Sequence, residues 1–178
     1  MNNKYYLDTQ TDKAWSNDTM ALQGDTLGLY GCLVTALSNT KVLQSIPYTP
    51  KTLNQKLKSK KGYAGLRNPK LTQNQSFILW DSDRKGKGVN EILGCTTERD
   101  TKLSMSDIDT AIRTGKIFFI ARITITMRNQ RGAVITFGHY INILYVLNNK
   151  YVCFDTYDGR VNILEEKDIT LKIRVEYK

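Results

Sequence analysis

Histidine is the scarcest chemically useful residue in this sequence, with one copy, His139, in 178 positions. Three cysteines, Cys32, Cys95 and Cys153, lie far apart, and no pair has metal-ligand spacing. A zinc site draws its ligands from close-set Cys and His, so no metal is expected. In a reducing compartment a disulfide framework is not expected either. Proline is rare (3 residues), and no Pro-rich or Gly/Ser-rich linker or internal repeat divides the chain. The longest apolar stretches, such as Ile117 to Ala121, fall far short of the roughly 20 residues of a membrane span. Met1 to Tyr6 has no apolar stretch followed by a small-residue cleavage site, so no secretory signal is expected. The expected setting is a cytoplasm, with any release following a route that needs no signal.

Acidic residues are also short. Seventeen Asp and Glu face 26 Lys and Arg, giving a net charge of +9. Such a balance favours anionic partners: nucleic acid, a membrane surface or an anionic cell wall. The excess concentrates in Lys51, Lys56, Lys58, Lys60, Lys61, Arg67 and Lys70, a segment with no acidic residue. The plain reading is a solvated helix face and the loop after it.

The length and the 40% hydrophobic content fit a single domain, residues 1–178, with a sufficient core. The first half reads as helices and loops. Leu33, Val34, Ala36 and Leu37 predict a helix over Gly31 to Leu43. Thr49-Pro50 starts a second, with Leu53 and Leu57 on its buried face and an end by Gly62. Ser76 to Trp80 reads as a short strand, Val89 to Leu93 as a short helix, and Cys95 as part of a loop. A further helix spans Ser106 to Arg113, capped by Ser106 and Asp107 and stopped by Gly115.

Strands then dominate. Lys116 to Met127 alternates, Arg128 to Gly132 is a polar turn, and Ala133 to Leu147 is a strand interrupted by Gly138. Asn148-Asn149 is a hairpin turn into Tyr151 to Asp155. Asp158-Gly159 turns into Arg160 to Leu164, and Leu171 to Tyr177 closes the sheet. Helices followed by antiparallel strands predict an α+β fold, N-terminal helices packed on a C-terminal sheet.

Two polar residues sit where chemistry is favoured. Cys32 follows a Gly-containing turn at the start of a helix, where free N–H groups and the helix dipole favour thiolate. His139 lies in an otherwise apolar strand, on one face with Phe137, Ile141 and Ile143. A lone strand histidine is ordinarily structural, and Asp155 alone is ordinarily a turn residue. Hairpin pairing through Asn148-Asn149, however, brings Asp155 near the His139 strand, as a base and its orienting acid require. Cys95 and Cys153 read as structural.

The sequence resembles the papain-like cysteine peptidases of the bacteriocin-processing, double-glycine-leader type and their relatives. The matching segments are Gln10, Asp12 and Trp15; Asn17-Asp18; Thr26, Gly28 and Tyr30-Gly31-Cys32, running on to Ser38; Asp109 to Lys116; Gly138-His139-Tyr140; and Phe154-Asp155. The likeness spans Gln10 to Gly159 and is loose from Ser45 to Leu103. It implies Cys32 as nucleophile, His139 as general base and acid, Asp155 as orienter and Gln10 in the oxyanion hole. The long interval from Gln10 to Cys32 leaves Asn17 and Gln23 as substitutes for that last role. Trp15 and Tyr30 read as packing residues.

The reaction implied is amide hydrolysis through a thioester, on a protein or peptide, with cell-wall peptide as one substrate class and no metal or organic cofactor. A papain-like binding module without turnover is one alternative, and it expects the Cys32, His139, Asp155 geometry to be broken or the cleft to be filled. A nucleic-acid binder using Lys51 to Lys70 with Tyr63 is the other.

Overall fold

The computed structural model describes residues 6–21, 25–71, 73–128 and 132–178. Helices come first: α1 (Leu27–Tyr30), α2 (Cys32–Leu43), α3 (Pro50–Ser59), α4 (Ala64–Arg67) and α5 (Val89–Leu93). After strand β1 (Cys95–Arg99) and helix α6 (Met105–Ile112) come β2 (Ile117–Arg128), β3 (Val134–Leu147), β4 (Lys150–Phe154), β5 (Val161–Leu164) and β6 (Ile169–Tyr177). The architecture is α+β. All six strands form one antiparallel sheet in the order β1-β6-β2-β3-β4-β5.

Both faces of the central strands are covered, which explains why β2 opens on an unbroken apolar run. Phe118 and Ile120 pack with Val34, Leu37, Leu53 and Leu57 of α2 and α3. Phe119 and Ala121 point the other way and pack with Ile141, Ile143 and Ile108 of α6. Local signals set the ends of several elements. Thr49 caps α3 by accepting from the Thr52 N–H, with Pro50 in the first turn. Asn148 and Asn149 both adopt positive φ (50° and 55°), the conformation of a tight hairpin turn matched to strand twist.

The structure corrects five sequence expectations. Ser76 to Trp80 forms no strand, only an isolated bridge between Ile78 and Tyr63. Cys95 lies in β1 rather than a loop, because Cys95 to Arg99 pair along β6. The cap of α6 is Ser104, two residues earlier than Ser106, and it forms a reciprocal capping box with Asp107. Gly138 does not interrupt β3, whose pairing to β2 runs through it. The last strand does not close the sheet at an edge but lies between β1 and β2. The expected polar turn from Arg128 to Gly132 includes 129–131, which lie outside the described residues.

Candidate active site

Cys32 is the first residue of α2, and Gly31 stands at its N-cap. The cap makes no side-chain hydrogen bond and the first turn holds no acidic residue. The positive end of the helix is therefore not neutralised by any side chain, and its first N–H groups are the free donors of a helix start. A side chain at Gly31 would overlap the backbone of Leu27, so the turn before Cys32 needs glycine. The thiol is partly exposed, whereas Cys95 and Cys153 are buried. Burial pushes Cys95 up to about 11 and Cys153 up to about 12, so neither forms a thiolate readily.

His139 and Asp155 meet across the β3–β4 hairpin. The register pairs Asn142 with Phe154, so Asp155, one residue beyond β4, falls beside the strand that carries His139. Its Oδ1 lies 2.7 Å from His139 Nε2. The carboxylate is itself held: Tyr157 N–H donates to Oδ1 at 2.8 Å and Asn162 Nδ2 to Oδ2 at 3.3 Å. Thr156 Oγ1 donates to the Tyr140 carbonyl at 2.6 Å and fastens the Asp155 segment to β3.

The electrostatics follow from these contacts. Burial opposes the imidazolium, but hydrogen bonds to Asp155 and Cys32, with the charges of both, outweigh it and raise His139 from 6.5 to about 9. Burial by itself would raise Asp155. Its bond to His139 and the Tyr157 N–H reverse that and hold the carboxyl below its usual 3.8. With Asp155 on Nε2, the neutral ring carries its proton there and leaves Nδ1 for the thiol.

Gln10 is buried at 3% exposure. Its backbone N–H donates to the Thr156 carbonyl at 2.7 Å, beside Asp155. Its Nε2 donates to the Gly28 carbonyl at 2.9 Å, in the turn before Cys32. That acceptor fixes the orientation of the amide, because the opposite orientation would set two oxygens together. One N–H of the amide remains, and Oε1 is buried without a partner.

Asn142 and Asn39 are residues that sequence reasoning missed. Both are fully buried. Asn142 Nδ2 donates to the Ala36 carbonyl of α2 at 2.9 Å, and Asn39 Nδ2 donates to Asn142 Oδ1 at 3.2 Å. An Asn amid the apolar residues of β3, and another on the buried stripe of α2, were the available signals.

Other expectations divide. Trp15 is buried, its indole N–H on the Thr9 carbonyl. Tyr30, expected to pack, is 59% exposed and does not. Asn17 is exposed, and Gln23 lies outside the described residues. The lysines from Lys51 to Lys70 are exposed, and Arg67 pairs with Asp83 at 2.9 Å. Tyr63 is fully buried and donates to Asn54, so it offers no ring face for a base to stack on. Among the described residues, no cluster of three His, Cys, Asp or Glu forms a metal-binding group. No helix among them is long and apolar enough to cross a membrane.

The α+β fold thus carries an imidazole and a carboxylate in contact, and a thiol at the start of its central helix. Among solved structures, the chain is similar to a protein of Bacillus anthracis described as a C39-like peptidase, with 14% identity, 83% of this chain and 89% of that one covered, and a TM-score of 0.47. It is also similar to the peptidase domain of Streptococcus ComA, a bifunctional ABC transporter of a quorum-sensing pathway, with 16% identity, 83% and 91% covered, and a TM-score of 0.42. The Streptococcus mutans ComA peptidase domain matches over 56% of this chain and 82% of that one, at 19% identity and a TM-score of 0.31. No family model and no curated protein matches the sequence.

Proposed function

We propose that this chain is a cysteine peptidase or amidase that cleaves an amide bond through a thioester on Cys32. The observation that carries the reading is the 2.7 Å contact between His139 and Asp155, on a ring whose charged form the Cys32 thiol also favours. A module that had kept the fold and lost the chemistry would have no need of a buried, oriented imidazole.

In this reading the thiolate of Cys32 attacks the substrate carbonyl carbon. The oxygen that gains charge lies against the Cys32 N–H and the remaining N–H of Gln10. One such donor is worth ~3 kcal/mol of barrier. The His139 imidazolium gives its proton to the leaving nitrogen, the C–N bond breaks, and an acyl-thioester remains. The neutral ring then takes a proton from water, and the hydroxide attacks the thioester carbonyl. The acid departs and the thiolate–imidazolium pair is restored. Asp155 holds the ring in place and stabilises its charged form throughout. The chemistry asks for no metal or organic cofactor.

The substrate is a peptide or protein. The net charge of +9 favours one embedded in an anionic matrix, and cell-wall peptide is the class that meets this. Two assays of wild type and Cys32→Ala test the proposal: cleavage of a mixed peptide library read by mass spectrometry, and zymography on peptidoglycan. Cleavage by wild type that Cys32→Ala lacks is the expected result, and the substrate cleared assigns the class. Equal cleavage by both proteins, or none by either, would overturn the hydrolase reading.

A further inference from the structure

We propose that Arg122 is a specificity residue that draws a carboxylate of the substrate to the Cys32–His139 site. The inference rests on the hydrolase reading above and extends it to the kind of substrate bound.

Position is the first argument. Arg122 on β2 is the cross-strand partner of Tyr140 on β3, and the next pair along is Ile123 with His139. The Arg122 guanidinium lies over Gly138, filling the space that a Cβ there would take. Glycine at 138 thus opens room for a cation on the face of β3 that also carries Tyr140 and Asn142, the face packed against α2. Tyr140 packs against the cluster that holds Val34 and Leu37, and Arg122 shares its face, which sets Arg122 on the side of the sheet covered by the helix that opens with Cys32.

The second argument is the absence of a counter-ion. Arg67, Arg113, Arg160 and Arg174 each pair with a carboxylate, and the described arginines that do not, apart from Arg122, are the exposed Arg84, Arg99 and Arg128. Among the described residues no carboxylate lies within pairing distance of Arg122. Its guanidinium donates to a neutral group, Thr170 Oγ1, at 3.5 Å. A half-buried guanidinium without an anion is a strong acceptor site for a carboxylate, which it binds through two parallel N–H bonds. The anion can be an acidic side chain or a peptide's C-terminus, since both present the same group.

Two alkylating reagents test this without knowledge of the natural substrate. Iodoacetate carries a carboxylate and iodoacetamide does not, and the rate of each at Cys32 is read by mass spectrometry. Arg122→Gln is expected to lower the iodoacetate-to-iodoacetamide ratio about fivefold, the scale of one lost ion pair. Arg122→Lys keeps most of the ratio, and Gly138→Ala, which pushes the guanidinium aside, lowers it. In wild type the ratio falls with added salt, a readout independent of how any variant folds. A ratio insensitive to salt and to Arg122→Gln, with Cys32 still outreacting Cys95 and Cys153, would overturn the inference and leave the hydrolase reading standing. If Cys32 outreacts neither thiol with either reagent, the hydrolase reading fails and this inference with it. A peptide library in free-acid and C-terminally amidated forms identifies the source. Enrichment of Asp and Glu around cleaved bonds assigns a side chain, and loss of cleavage on amidation assigns the terminus. Indifference to both overturns the proposal.

Discussion

Asn142 donates through Nδ2 to the carbonyl of Ala36 at 2.9 Å, tying the strand that bears His139 to the helix that opens with Cys32. Thiol and imidazole come from elements far apart in sequence, so their separation depends on how α2 sits against β3. A fully buried amide with partners on both sides sets that distance more sharply than apolar packing, because sliding would leave polar groups unpaired.

Replacement of Asn142 by Leu tests this clamp. The Ala36 carbonyl and the Asn39 amide would lose their partner in the interior, at about 1–3 kcal/mol for an unsatisfied buried group. Urea denaturation should show that loss. Alkylation of Cys32 in the folded variant should slow as well, an effect that a distant core substitution such as Leu57→Ala would not produce.

Gln10→Ala separates turnover from nucleophile activation. If the amide serves the oxyanion, kcat falls by about 10²–10³. The His139–Asp155 contact does not involve the Gln10 side chain, so iodoacetamide should modify Cys32 at a nearly unchanged rate. Parallel loss of both activities would mean that Gln10 acts through the fold of the segment before Cys32.

Asp155 has two jobs, accepting a hydrogen bond and supplying charge, and two substitutions divide them. Asp155→Asn retains an acceptor for Nε2 and should keep part of the activity. Asp155→Ala removes both and should lower kcat by about 10² or more. Equal activity of both variants with wild type would remove Asp155 from the mechanism.

The stability of the protein should fall on the alkaline side of neutrality. His139 titrates at about 9 when folded against 6.5 for an unperturbed ring, so its contribution is complete below 6.5 and is lost as the pH rises through about 9. Asp155 acts in the opposite direction. Its folded pKa lies below 3.8, so its contribution is present above that value and is lost as the pH falls through the folded one. Thermal melts across pH should show the alkaline decline in wild type and a weaker one in a His139→Gln variant.

Much of this fold was legible because its signals are local. Thr49-Pro50, the Asn148-Asn149 pair and the apolar stripe of α2 each act within a few residues. What escaped depends on distant partners. Thr96, Thr97, Glu98 and Arg99 carry no apolar alternation, and they form a strand only because β6 offers an edge. Gly138 looked like a break, yet the guanidinium of Arg122 stands where its side chain would be. Cys32 announced itself by the glycine turn before a helix, and Asp155 by hairpin arithmetic. Asn142, Asn39 and Asn162 gave no comparable cue, since the role of a buried amide is set by what stands opposite.

The single histidine offers the most direct test of the central claim. One imidazole in the chain gives one set of ring resonances, whose pH titration by NMR can be followed without assignment of the rest. Wild type should titrate near 9, and both Cys32→Ala and Asp155→Ala should bring the midpoint down, because each removes a partner that favours the charged ring. A midpoint near 6.5 in wild type, unmoved by Cys32→Ala, would show that thiol and imidazole do not act on each other and would contradict the proposed chemistry.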